Sequence, residues 1–140
     1  MKSDFKFAFS LRVRFSETDA QGVVFNGAYF TYLDVGITEY QRHLGFPWRE
    51  MVRTGFDFVI ARVTFEYRVP ARYDDLVAVH VRTSRIGDRS LTLDAEMYRG
   101  DSDTLLTLGC LVHVAIDPET KQSIPIPAAY RERVVAFEGL

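Results

Sequence analysis

Arg14-Phe15-Ser16-Glu17-Thr18-Asp19-Ala20-Gln21-Gly22-Val23-Val24-Phe25-Asn26-Gly27 is the stretch on which the reading of this chain turns. Before it, Phe7, Phe9, Leu11, Val13 and Phe15 alternate with other residues and predict a first strand over 6–15. After it, Tyr29, Tyr32, Leu33, Gly36, Ile37, Tyr40 and Leu44 recur at steps of three and four. That spacing predicts an amphipathic helix from near Gly27 to Gly45, with Pro47 beyond its end. About seventeen helical residues make a rod of roughly 25 Å. The quoted stretch is therefore the turn between a strand and a long helix. It carries a carboxylate, Asp19, and Asn26 stands where a helix N-cap is expected.

Downstream, the pattern is strand-like throughout. Residues 56–69 alternate, with Val63, Phe65, Tyr67 and Val69 on one face. A turn at 70–75 leads to a strand over 76–85, where Val77, Val79 and Val81 share a face. Ile86-Gly87-Asp88-Arg89 is a hairpin signal, followed by strands over 90–98 and 104–116 and a short helix over 127–137. One strand, one long helix and four strands joined by short turns imply an α+β fold. A five-stranded antiparallel sheet wraps around the helix, and residues 1–140 form a single domain. Exposed sheet edges in so small a fold are expected to pair with another subunit.

Composition narrows the function. The chain has 140 residues, 47% of them hydrophobic, and a formal net charge of -2. Without a basic cluster there is no electrostatic case for nucleic acid. No apolar run is long enough to span a bilayer, and the first residues lead into no secretory signal. One cysteine, Cys110, fits a reducing compartment, so a cytoplasmic protein is expected. His43, His80 and His113 are scattered, and no zinc spacing, phosphate loop or serine nucleophile elbow occurs.

What remains is Asp19 beside a helix start. A helix N-terminus presents unpaired N–H groups and partial positive charge. A carboxylate facing it across a reacting carbonyl makes a small acyl-transfer site. Asp19 can attack the acyl carbon or deprotonate a water; equally, it can simply hydrogen-bond the turn. The amides of Phe25, Asn26 or Gly27 can meet an oxyanion, and the Asn26 side chain can at the same time cap the helix. Gly22 permits a tight turn or lets a ligand approach the backbone closely. Tyr29, Phe30, Phe56, Phe58 and Val59 are candidates for an acyl pocket or for core. Glu39 and His43, four apart, read as a surface pair.

The element order, the segment from Val13 to Asn26 and a second segment, Val69-Pro70-Ala71-Arg72-Tyr73-Asp74-Asp75-Leu76, resemble the hotdog-fold acyl-CoA thioesterases. The similarity is to the 4-hydroxybenzoyl-CoA thioesterase family, including its branch associated with the Tol–Pal system, over roughly residues 6–130. The resemblance implies a helix wrapped by an antiparallel sheet, homodimers joined sheet edge to edge or homotetramers, and active sites at the dimer interface. It implies hydrolysis of acyl-CoA thioesters with no cofactor beyond the CoA of the substrate and no metal. Asp19 is then the nucleophile or base, and the Asn26 amide the oxyanion donor. Arg89, with Arg85 near it, matches a basic residue that contacts the nucleotide; without the resemblance both read equally well as a solvated hairpin. Many members carry His or Tyr where this chain has Asn26, and Glu-x-Ala-Arg where it reads Asp34-Val35-Gly36-Ile37. A hotdog hydratase normally needs a histidine in the pocket, and none lies in this motif. The alternative from a different class is a non-catalytic binder of acyl-CoA or acyl carrier protein.

Overall fold

Alternation of apolar and polar side chains carries five strands into one antiparallel sheet. The computed structural model describes all 140 residues. Its elements are β1 (Ala8–Arg12), α1 (Ala28–His43), α2 (Trp48–Arg53), β2 (Asp57–Tyr67), β3 (Leu76–Ile86), β4 (Ser90–Arg99), β5 (Leu105–Ile116) and α3 (Ala128–Glu138). The sheet order is β1-β3-β4-β5-β2. Val77, Val79, Val81, Leu91, Leu93, Ala95, Met97 and Leu111 are buried on its inner face. The apolar stripe of α1 (Tyr29, Tyr32, Leu33, Ile37 and Tyr40) packs into the same core, and the sheet curls around that helix as in a hotdog fold. Each such side chain contributes roughly 1.5–3 kcal/mol on full burial. Gly36 sets the closeness of the contact: a Cβ there would lie 2.5 Å from Val79 Cγ1.

A bulge in β2 changes which of its side chains face inward. Ile60 pairs with His113 and Arg62 with Val112, so Ala61 is an extra residue against β5. The extra residue shifts the alternation by one, so that Phe58 and Val63, five apart, line the same cavity. At the far end α3 is clamped. Glu138 Oε1 accepts the Tyr40 hydroxyl at 2.6 Å and the Thr83 N–H at 3.0 Å. Lys6 Nζ donates to the terminal carbonyls of Phe137 and Glu138.

Three expectations are corrected. The first strand stops at Arg12 rather than at residue 15. The Glu17 side chain takes the Arg14 N–H and winds 15–17 into a 3-10 turn, which leaves Phe15 76% exposed. Short connections do not make β2 and β3 neighbours: residues 68–75 cross between opposite parts of the sheet, and β2 pairs with β5. Pro47 follows the end of α1 as expected, but it is also the N-cap of α2, a short helix that the spacing did not predict. Glu39 pairs with Arg42, while His43 packs on the rings of Phe7 and Phe137.

Candidate active site

The segment between β1 and α1 folds on its own backbone. Asp19 N–H donates to Val23 C=O and Gly22 N–H to Asp19 C=O, both at 2.9 Å. Gln21 N–H donates to Asp19 Oδ1 at 2.9 Å, an Asx turn that orients the carboxylate and leaves Oδ2 without a partner in the chain. Gly22 has φ +76°, and nothing lies within 4 Å of where its Cβ would be. Its role is therefore conformational: the turn needs a positive φ.

Glu17 ties this loop to the helix. Its carboxylate accepts the Arg14 guanidinium at 2.8 Å and the Tyr32 hydroxyl at 2.9 Å, and its carbonyl accepts the Phe25 N–H at 2.8 Å. Burial pushes the Glu17 pKa up, but the bonds from Arg14 and Tyr32 outweigh it and hold the carboxyl below its ordinary value. Burial, and then the Glu17 carboxylate, push the Tyr32 hydroxyl far above the phenol range.

The helix start differs from expectation in its cap and in its available amides. Gly27, not Asn26, is the N-cap, and no side chain caps the helix. A Cβ on Gly27 would meet the Phe25 ring at 2.6 Å, so that ring lies against the Gly27 backbone. Because the Phe25 N–H is bonded to Glu17, it is withdrawn from the set of candidate oxyanion donors. The Asn26 and Gly27 N–H groups donate to no group in the chain. Their peptide planes are nevertheless fixed: Phe25 C=O accepts Ala28 N–H at 2.9 Å, and Asn26 C=O accepts the Tyr67 hydroxyl at 3.0 Å. In a trans peptide the N–H points away from the C=O. The two free amides are thus held in place by the bonds on their opposite sides.

Asp19 and Asn26 line one cavity of about 320 Å³, together with Val23, Phe25, Tyr29, Tyr67, Arg68 and Pro70. Tyr67 stands on Tyr29, ring centroids 5.4 Å apart, and Tyr29 Oη accepts the Ala71 N–H at 3.1 Å. Arg68, paired with Glu66 at 2.6 Å, adds a cation to the lining. A carboxylate and free amides around one space can activate a nucleophile and meet the oxyanion formed when it adds to a carbonyl. No three His, Cys, Asp or Glu side chains lie close enough to hold a metal ion.

Arg85 and Arg89 are not brought to this cavity. They flank the β3–β4 hairpin, at the opposite end of the sheet from the Arg12–Leu76 pair that precedes the Asp19 loop. Arg89 Nη1 donates to Ser123 C=O at 2.7 Å. Of the acyl-pocket candidates, Phe56 is core and Val59 is exposed. Phe30 and Phe58 line a second cavity of about 330 Å³ with Asp34, Gln41, Trp48, Met51 and His113. Sequence reasoning missed Tyr67 and Arg68, whose only signal was their position at the end of a strand. It also missed Gln41 and His113, which carried none.

The thioesterase superfamily model matches residues 21–106. The chain is 30% identical over 136 residues to the acyl-CoA thioesterase YbgC of Haemophilus influenzae, covering 96% of each. It is 30% identical over 112 residues to the acyl-CoA thioester hydrolase YbgC of Escherichia coli O157:H7, covering 80% of this chain and 83% of that one. Among solved structures, a thioesterase of Thermus thermophilus complexed with coenzyme A and Zn superposes with a TM-score of 0.84. It is 27% identical, and the match covers 98% of this chain and 97% of that one. A protein of Aquifex aeolicus superposes with a TM-score of 0.84 at 28% identity, covering 91% and 98%.

Proposed function

The chain belongs to the thioesterase superfamily, and on that premise we propose that it hydrolyses acyl-CoA thioesters at the Asp19–Asn26 cavity. One observation carries the assignment of roles: Asp19 and Asn26 line the same space, and the Asn26 N–H has no partner in the chain. The acyl carbonyl oxygen lies toward the Asn26 amide, with the Gly27 amide beside it. The Asp19 carboxylate then attacks the acyl carbon. The carbon–sulfur bond breaks, CoA leaves as thiolate, and water hydrolyses the mixed anhydride. Alternatively, Asp19 takes a proton from a water that attacks directly. Each preorganised donor to the oxyanion is worth about 3–4 kcal/mol.

The active unit in this reading is a dimer. The outer edge of β2 has no partner strand, and Val59 and Ile60 upon it are 43% and 58% exposed. Two-fold pairing across β2 reverses the second sheet. It brings the hairpin with the partner's Arg85 and Arg89 to the end where Asp19 lies, and Arg85 and Arg89 are proposed to meet CoA phosphates there.

Steady-state hydrolysis of a panel of acyl-CoAs tests the chemistry. Asp19→Asn is expected to lower kcat by about 10²–10⁴-fold with KM little changed. Hydrolysis by that variant at the wild-type rate would remove Asp19 from the reaction. Tight acyl-CoA binding by the wild type without turnover would make the protein a binder.

A further inference from the structure

The second cavity lies between α1 and the bulged half of β2, roofed by Trp48 and Met51 of α2. Most of its lining is apolar, including Leu33, Ile37, Val63 and Leu111, but its inner wall carries His113 and Gln41. These side chains are 7% and 8% exposed. The His113 ring stacks on Phe58, centroids 5.4 Å apart and planes within 11°. Its strand partners are Ile60 and Leu91, neither of which offers a polar side chain. No group in the chain hydrogen-bonds either ring nitrogen, whereas the Gln41 amide lies beside the Tyr130 hydroxyl. Burial pushes the His113 pKa down to about 4. At neutral pH the ring is therefore uncharged, with one N–H donor and one acceptor. The ring faces the cavity with a donor and an acceptor that no group in the chain takes up, free to meet a polar group of a ligand.

Resting on the thioester-hydrolase reading, we propose that this cavity receives the acyl group and that His113, with Gln41, selects acyl groups whose far end carries an uncharged hydrogen-bonding group, a hydroxyl or a carbonyl. Phe30 lines this cavity, and its neighbour Tyr29 lines the one that holds Asp19. Phe30 also packs edge-on against Phe65, centroids 4.7 Å apart. From Phe30 to Gln41 the helix rises roughly 16 Å, the reach of an extended acyl chain of about twelve to thirteen carbons. A volume near 330 Å³ accommodates an acyl group and not a whole CoA. Charge excludes one class of end group. Asp34 and Asp57 line the same cavity, and a neutral His113 supplies no counter-charge, so a terminal carboxylate meets only like charge.

The test is calorimetric binding of three non-hydrolysable CoA thioethers: dodecyl, ω-hydroxydodecyl and ω-carboxydodecyl. Wild type is expected to bind the hydroxyl form about 10-fold more tightly than the plain form, and the carboxyl form most weakly. His113→Phe keeps an aromatic ring on Phe58 and is expected to abolish the preference of the hydroxyl over the plain form. His113→Asn, which restores a donor and an acceptor, and Gln41→Met, which removes the second amide, retain part of it. Equal binding of the hydroxyl and plain forms by wild type, binding of none of the three, or an undiminished preference in His113→Phe overturns the proposal. Turnover separates the two readings. A binding preference without hydrolysis sinks the hydrolase assignment alone. Hydrolysis that depends on Asp19, with no ω-preference in binding, sinks this one alone.

Discussion

Glu17 organises the loop through three different atoms. One carboxylate oxygen takes the Arg14 N–H and the Tyr32 hydroxyl, the other takes the Arg14 guanidinium, and the carbonyl takes the Phe25 N–H. Its native pKa is lowered from an ordinary 4.5, so its contribution to stability is fully present above pH 4.5 and is lost as pH falls through the native value. Urea unfolding of wild type and Glu17→Gln is expected to show a gap at pH 7 that narrows toward pH 3. A gap independent of pH would mean that the charge is not what the fold uses. Asn26 shows the limit of reading one residue. Its side-chain type is a good cap, yet the helix begins one residue later. Its value to the site lies instead in a backbone amide left free and a carbonyl held by Tyr67, 41 residues away.

Among the elements, α1 was the most legible. Its residues recur at helical spacing, and Tyr29, Tyr32, Leu33, Gly36, Ile37 and Tyr40 are all buried. Gly36, part of that periodic stripe, is a point of close contact with the sheet. Because a methyl there would press on Val79, a β-branched side chain that cannot swing aside, Gly36→Ala is expected to destabilise by about 1–2 kcal/mol despite its better helix propensity. Thermal unfolding checks this, and a stabilised variant would refute the close packing. β2 was legible as a strand but not in phase, because the bulge at Ala61 exists only against β5. β1 was overextended because Phe15 continues the alternation after the chain has turned, and its ring rests on Tyr73 at the surface.

At the scale of the molecule, one chain is an incomplete site in this reading, because Arg85 and Arg89 lie at the wrong end of their own sheet. If the partner's hairpin completes each site, Asp19→Asn and Arg89→Ala fail in different halves. Subunits of the two variants, mixed and exchanged, then form some dimers with one intact site. Hydrolysis is expected to recover to on the order of a quarter of wild type, as random two-fold pairing predicts. A mixture no more active than the better parent, or sedimentation as a single 16.1 kDa chain, would overturn the shared site.

The sequence by itself determined the long and terminal helices and the five strands, the buried face of α1, the strand faces of β3 and β4, and Asp19 in a turn before a helix. These rest on periodicity and turn chemistry, which act between residues a few positions apart. Only the tertiary structure decided the sheet order, the bulge in β2, the amides that stay free and the cavity that Gln41 and His113 share. Each of those depends on partners far apart in the chain: β2 with β5, Asn26 with Tyr67, α1 with the inner face of the sheet. No local pattern records which distant group will satisfy a given N–H, or that none in the chain will satisfy His113.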